Sequence, residues 1–249
     1  MAMRRLAWVG AWTLLLGTGA SARAHSAEPG PSARPIVLEL YTSEGCSSCP
    51  PAEALIGELS RNPALLPLAL HVDYWDSLGW RDRFALPASA QRQRRWADTH
   101  GRADVFTPQM IVDGRASVLG SDRGAIDAAV RAARTALDSL PHFDIDARLV
   151  DGVVHIAIPE PADHGRNEVL AVAYLPQTVT AVPRGENAGR TIDEWNVVRA
   201  VRPLGSIDGA PLQRQIALGE LPADAGRLAI LVQDAVSGQV RAVRVLTLR

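Results

Sequence analysis

The stretch ELYTSEGCSSCPPAEALIGELS (residues 39–60) holds Cys46 and Cys49, the two cysteines of a 249-residue chain. An apolar, β-branched run beginning at Ile36, IVLELYT, leads into it and reads as a strand. Beyond the cysteines, Ala54, Leu55, Ile56 and Leu59 recur at helical spacing, and Asn62-Pro63 ends that helix. Pro50 and Pro51 are tolerated only in a first helical turn, so the helix begins near Ser48 or Cys49. Cys46 then stands just ahead of it in loop geometry. Both thiols sit at a strand-to-helix junction.

Three chemistries use such a pair. A structural disulfide here closes so short a loop that it restricts little of the unfolded chain. A metal site built on two thiolates is half filled. His71 is the nearest third ligand, and soft thiolates with an imidazole suit Cu(I). A redox dithiol gains from the short span, because the second thiol can attack a mixed disulfide formed by the first. The sequence favours the redox reading, with Cys46 exposed and attacking and Cys49 resolving. A copper-handling protein using Cys46, Cys49 and His71 stands as the alternative, beside a non-catalytic binding module. No cofactor is expected.

The amino terminus points to an oxidising compartment. Residues 1–24 show a basic start (Arg4, Arg5), an apolar run from Leu6 to Leu16 and a small-residue cleavage site at Ala22-Arg23-Ala24, the pattern of a secretory signal peptide. The run is too short to span a bilayer, so no stable membrane insertion is expected after cleavage. The expected location is periplasmic or secreted. Removing residues 1–24 takes away three arginines and no acids, moving the formal charge from −1 to −4. An acidic protein has no electrostatic reason to bind nucleic acid. All 26 basic residues are arginine, which excludes a lysine nucleophile.

Residues 25–35 form a Pro/Gly/Ser-rich leader expected to be flexible. Residues 36–140 then read β-α-β-α-β-β-α. LLPLALHVDYW (65–75) gives the second strand and PASAQRQRRWADTHG (87–101) a helix. PQMIVDGRASVLG (108–120) is a hairpin turning at Asp113-Gly114, and residues 121–140 form a helix capped by Ser121 or Asp122. From 141 to 249 the chain changes to short alternating runs. HFDIDARLVDGVVHIAI turns at Asp151-Gly152, and EVLAVAYL, EWNVVRAVRPL, LQRQIAL, RLAILVQDA and QVRAVRVLTL follow, suggesting an all-β, sandwich-like unit.

Strand, C-x-x-C, helix, strand, helix, then VFTPQMIVDGRASVLG and a closing helix is similar to the thioredoxin-like fold. YTSEGCSSCPPAE, HVDYWDSLGWRD and RGENAGRTIDEWNVVR resemble, over nearly the whole mature chain, the secreted bacterial domain-of-unknown-function family 1223. The resemblance implies an α/β thioredoxin-like domain followed by an all-β C-terminal unit, and no established substrate. It also implies that Thr107-Pro108 is a cis step facing the dithiol and aligning a partner. A thiol–disulfide oxidoreductase acting on protein or small-molecule thiols is the expectation that follows.

Further residues are candidates by position. Glu39, in the first strand, is a candidate for the buried acid that exchanges a proton with the second thiol. Glu44 is expected to be solvated. Tyr74, Trp75 and Trp80, with Asp73, lie beyond the second strand and suit an apolar rim for substrate; capping the core is the plainer role. In PRGENAGRT (183–191), which lacks phosphate-loop spacing, Arg184, Asn187 and Arg190 are candidates for contact with the dithiol.

Overall fold

The computed structural model describes residues 34–137, 144–159 and 165–249; residues 1–24, read above as a signal peptide, and residues 25–33 of the expected leader lie outside them. The first half follows the predicted order: β1 (Ile36–Thr42), α1 (Pro50–Leu59), β2 (Leu65–His71), α2 (Pro87–Thr99), β3 (Gln109–Val112), β4 (Ala116–Leu119) and α3 (Arg123–Leu137). Among the described residues that follow are seven strands, β5 (Asp146–Val150), β6 (Val153–Ile158), β7 (Asn167–Val182), β8 (Arg190–Ile207), β9 (Leu212–Ala217), β10 (Arg227–Asp234) and β11 (Val240–Thr247), and one 3-10 turn at Leu218–Glu220. Asp113 and Asp151 adopt positive φ before Gly114 and Gly152, as the two Asp-Gly hairpin turns require. Asp122 caps α3, its Oδ1 accepting from the Ala125 amide at 2.9 Å.

The expected architecture, an α/β thioredoxin-like domain followed by an all-β unit, is not what these elements build. Eight strands from both halves share one mixed sheet in the order β11-β10-β7-β8-β2-β1-β3-β4. The protein is mostly β, with three α-helices among the described residues. The sandwich survives only as a three-stranded sheet, β5-β6-β9, whose Val154, Ile156 and Ile216 pack against Val169, Ala171 and Ile230 of the large sheet. The halves are joined because β2 is buried on both faces and still has a free edge after pairing with β1. β8 takes that edge at Ala69–Val197, in parallel. One core then runs across the junction, with Val37, Leu68 and Leu70 packed alongside Val172, Val198 and Leu231.

The β7–β8 hairpin reaches the cysteines because its arms are far longer than the apolar runs suggest, 16 and 18 residues. The sequence reads as broken at Pro176, which lacks an amide hydrogen. The strand continues past it because β10 pairs with β7 only as far as Tyr174. Beyond that point the side facing β10 needs no donor. The overhanging arms then run beside α1. A Cβ on Gly57 would lie 2.6 Å from the Trp195 indole nitrogen, so the helix meets β8 where it has no side chain.

Arg34, near the end of the expected leader, bonds to two distant elements. Arg34 forms two hydrogen bonds to the Asp113 carboxylate, at 2.7 and 2.8 Å, and its Nε donates to the Arg241 carbonyl at 3.1 Å. That clamp joins the β3–β4 turn to β11.

Candidate active site

Cys46 and Cys49 form a disulfide. Cys49 is the N-cap of α1, and Pro50 and Pro51 fill the first helical positions. The Cys46 amide donates to the Ser43 carbonyl at 3.1 Å, and the Cys49 amide to the Cys46 carbonyl at 3.2 Å, which winds the segment into consecutive turns. The prolines bring no N–H, and the amides of Ala52 and Glu53 are spent on the Cys49 carbonyl. Little of the helix N-terminal field is therefore free to act on the Cys46 sulfur. The Ser48 hydroxyl lies 3.3 Å from Cys46 Sγ.

Thr107-Pro108 is cis. The Ser48 hydroxyl donates to the Thr107 carbonyl at 3.4 Å, linking that step to the cysteine turn. Trp75 Nε1 donates to Thr107 Oγ1 at 2.8 Å, and the Trp75 Cβ would lie 3.3 Å from a Cβ on Gly45. Trp80 Nε1 donates to Glu44 Oε2 at 2.6 Å. Trp75 and Trp80 thus border the cysteine segment. Leu78 and Phe106, neighbours of these residues in the chain, are 52% and 42% exposed.

Other candidates lie elsewhere. Glu39 faces away from α1. Its neighbours Leu38 and Leu40 pack with α1 and α3, so strand alternation turns Glu39 to the other face. There it accepts from Arg92 Nε of α2 at 2.7 Å. An acid on that face does not underlie Cys49. Tyr74 turns to α2, its hydroxyl donating to Gln93 Oε1 at 3.1 Å. Its contribution to the site is indirect, because Gln93 Nε2 donates to the Phe106 carbonyl at 2.8 Å. Asp73 helps make a turn, its carbonyl accepting from the Asp76 amide. His71 is buried and bonds Asp82 Oδ2 through Nδ1 at 2.7 Å. Among the described residues, no three His, Cys, Asp or Glu side chains converge as a metal would require, so the Cys46–Cys49–His71 copper set is not assembled.

Two expectations of exposure are reversed. Glu44 is buried, not solvated, and burial pushes its carboxyl pKa up, with the Asp82 charge adding and the Trp80 hydrogen bond opposing. Cys46 is 0% exposed and Cys49 1%. The β7–β8 turn is bonded to the backbone of this segment. Asn187 Nδ2 donates to the Glu44 carbonyl at 2.9 Å and to the Cys46 carbonyl at 2.8 Å. The Ser47 amide donates to Glu186 Oε2 at 3.3 Å. Of the residues singled out in PRGENAGRT, Asn187 makes the contact.

Around His71 lies a charged cluster that motif reading missed. Glu53 in α1, Asp82 in the loop after β2 and Glu194 in β8 are buried, as are His71 and Glu44. Burial alone would drive the imidazole pKa down. The Asp82 charge and hydrogen bond, with Glu53 and Glu194 adding, overturn that and hold His71 at about 10. Burial raises Glu194 to about 8 against the pull of His71. It raises Glu53 too, against His71 and the Thr42 hydroxyl. Asp82 goes the other way: burial would raise it, but His71 and the amides of Glu44 and Phe84 hold it below its ordinary value. Glu53 had a visible signal, since it falls one helical turn after Cys49 on the helix that follows the pair. Asp82 and Glu194 had none, because only the fold brings them to β2.

Similarity to known proteins follows the same outline. Protein AGR_C_4864 from Agrobacterium tumefaciens superposes with a TM-score of 0.72 at 28% identity, over 86% of this chain and 94% of that one. HBP35 of Porphyromonas gingivalis shares the fold at a TM-score of 0.60 and 13% identity, over 88% of this chain and 76% of its own. No curated protein matches. The family described as a protein of unknown function (DUF1223) matches residues 37–233, the cysteine turn and the β7–β8 hairpin included, and this chain belongs to that family.

Proposed function

We propose that the protein is an exported thiol–disulfide oxidoreductase whose redox centre is the Cys46–Cys49 pair. The observation that carries this reading is the pairing of the chain's two cysteines at the N-cap of α1, with the Thr107-Pro108 step hydrogen-bonded across to Ser48. A disulfide over four residues contributes little stability by restricting the unfolded chain. The signal-peptide pattern of residues 1–24 supports delivery to a compartment where such a couple can cycle.

In the reducing direction the Cys46 thiolate attacks a partner disulfide. A Cys46–partner bond forms, the partner's own sulfur–sulfur bond breaks, and one partner thiolate departs. The Cys49 thiolate then attacks the Cys46 sulfur, restoring the Cys46–Cys49 bond and releasing the second partner thiolate. Two electrons pass to the partner, and the two protons lost by the cysteines are available to the departing thiolates. Run backwards, the same steps oxidise a dithiol. Pro108 and Thr107 align the partner, and Trp75 and Trp80 supply apolar contact beside it.

The test is Cys49→Ser. Lacking the resolving thiol, the variant is expected to trap a mixed disulfide through Cys46, seen as a reducible adduct by mass spectrometry. Turnover of a model disulfide should fall by at least ~1000-fold, as for loss of an essential covalent group. A reduced Cys49→Ser protein that stays free of adducts with disulfide partners argues against the reading. The complete burial of both sulfurs favours a rival, a closed structural staple on a binding module, for which a double Cys→Ala chain would retain full function.

A further inference from the structure

An exchange centre must let a foreign sulfur approach in line with a disulfide, and here neither cysteine is accessible. This inference rests on the redox reading and asks what must move. Ser47 and Ser48 are exposed, so the cysteine turn lies at the surface. The tip of the β7–β8 hairpin is anchored to its backbone. Its hold consists of the two hydrogen bonds from Asn187 to the carbonyls of Glu44 and Cys46 and the one from the Ser47 amide to Glu186. Gly185 adds packing, since a Cβ there would lie 2.9 Å from the Trp80 Cβ.

The tip is built as a unit that can lift. Gly185 and Gly189 both adopt positive φ on either side of Asn187. The Ala188 amide donates to the Gly185 carbonyl and the Gly189 amide to the Val182 carbonyl, so the turn keeps its own bonds when it leaves the cysteines. Asn187 is buried, yet its Oδ1 accepts no hydrogen bond. Release to water would satisfy that atom, which lowers the cost of opening. The arms behind the tip are paired to each other from Gln177–Trp195 to Val182–Arg190, beyond the reach of β10.

We propose that the β7–β8 tip is a gate over the redox pair, and that Asn187 is the positioning residue that latches it by holding the Cys46 carbonyl. Exchange then requires the tip to rise, and the strand-rich half of the chain controls access to chemistry carried by the other half.

Dithiothreitol tests this directly. It gives two electrons and two protons to the disulfide, closing to its own cyclic disulfide while Cys46 and Cys49 become thiols. Asn187→Ala is expected to raise the second-order rate constant for this reduction about tenfold or more, as loss of two latching hydrogen bonds implies. Glu186→Ala, at an exposed position, keeps its fold and should give a smaller rise of about two- to fivefold. Unfolding midpoints of both oxidised variants are measured alongside, so that a rate gain from global loosening is recognised: a gain that scales with the lowered midpoint overturns the gate. Wild-type rates in both variants also overturn it. The two proposals fail separately. Faster reduction in the variants without turnover of any partner disulfide upholds the gate and removes the oxidoreductase reading; turnover with wild-type reduction rates does the reverse.

Discussion

Replacing His71 with alanine is expected to lower the unfolding free energy at pH 7 by about 3–5 kcal/mol, the usual cost of removing one partner from a buried ion pair. The reason is the company His71 keeps. It is the positive group among Asp82, Glu53, Glu194 and Glu44, all buried, and its Nδ1 bond to Asp82 measures 2.7 Å. Without it the Asp82 carboxylate, held below its ordinary pKa by His71, is left charged and uncompensated. Chemical denaturation of the single variants and of the double His71→Ala/Asp82→Ala variant checks this. The double variant should lose less than the sum of the singles, because the second truncation removes the stranded charge. Additive losses would show that the two side chains act independently.

The same cluster fixes the sign of the pH dependence. The folded state holds His71 at about 10 and Glu194 at about 8, each above its ordinary value. A raised group contributes fully below its unfolded pKa and loses that contribution as pH climbs through the folded one, because the unfolded chain gives up its proton first. The thermal midpoint should therefore fall steadily from about pH 6.5 to about pH 10, the interval between the unfolded and folded pKa of His71. Asp82 acts oppositely, and its contribution disappears only in acid, as pH falls through its lowered value. A midpoint that is flat or rising over the alkaline interval would contradict the cluster's ionisation.

Local chemistry explains why some of this was legible in the sequence and some was not. Asn62-Pro63, Pro50-Pro51 and the two Asp-Gly turns act within a few residues, and the elements they bound appear where expected. The joining of the halves was not legible, because the edge of β2 that β8 occupies is a property of the assembled sheet. The reach of β7 was hidden by Pro176, whose tolerance depends on where β10 stops. Within the site, Cys46, Cys49, Thr107 and Pro108 declare themselves by motif and by resemblance to a family. The face taken by Glu39 was not legible, because strand alternation leaves the choice of face to packing. Burial of Cys46 was not legible for a related reason, since a group that bonds its carbonyl, Asn187, stands 141 positions along the chain.

The two Asp-Gly turns provide a matched comparison of what the joined sheet demands. Gly114 and Gly152 share nearly the same backbone, with φ of 71° and 76°. Alanine at either position meets the left-handed penalty of about 1–2 kcal/mol. Around Gly152 nothing lies within 4 Å of an added Cβ, so that penalty is the whole cost. At Gly114 the added carbon would fall 2.1 Å from the Gly238 carbonyl oxygen and 2.9 Å from the Gln239 Cα, both backbone atoms. A rotamer change cannot relieve that overlap. Either the β3–β4 turn withdraws or the β10–β11 turn does, and withdrawal breaks the bond from the Val240 amide to the Asp113 carbonyl at 3.1 Å. It also disturbs the Arg34–Asp113 clamp. Gly114→Ala is therefore expected to cost more than about 4 kcal/mol, in the range reserved for identifiable structural conflicts, against about 1–2 kcal/mol for Gly152→Ala. Denaturant titrations of the two variants decide the matter: equal losses would mean that the two turns do not meet, and that the halves of the protein are not held together at this contact.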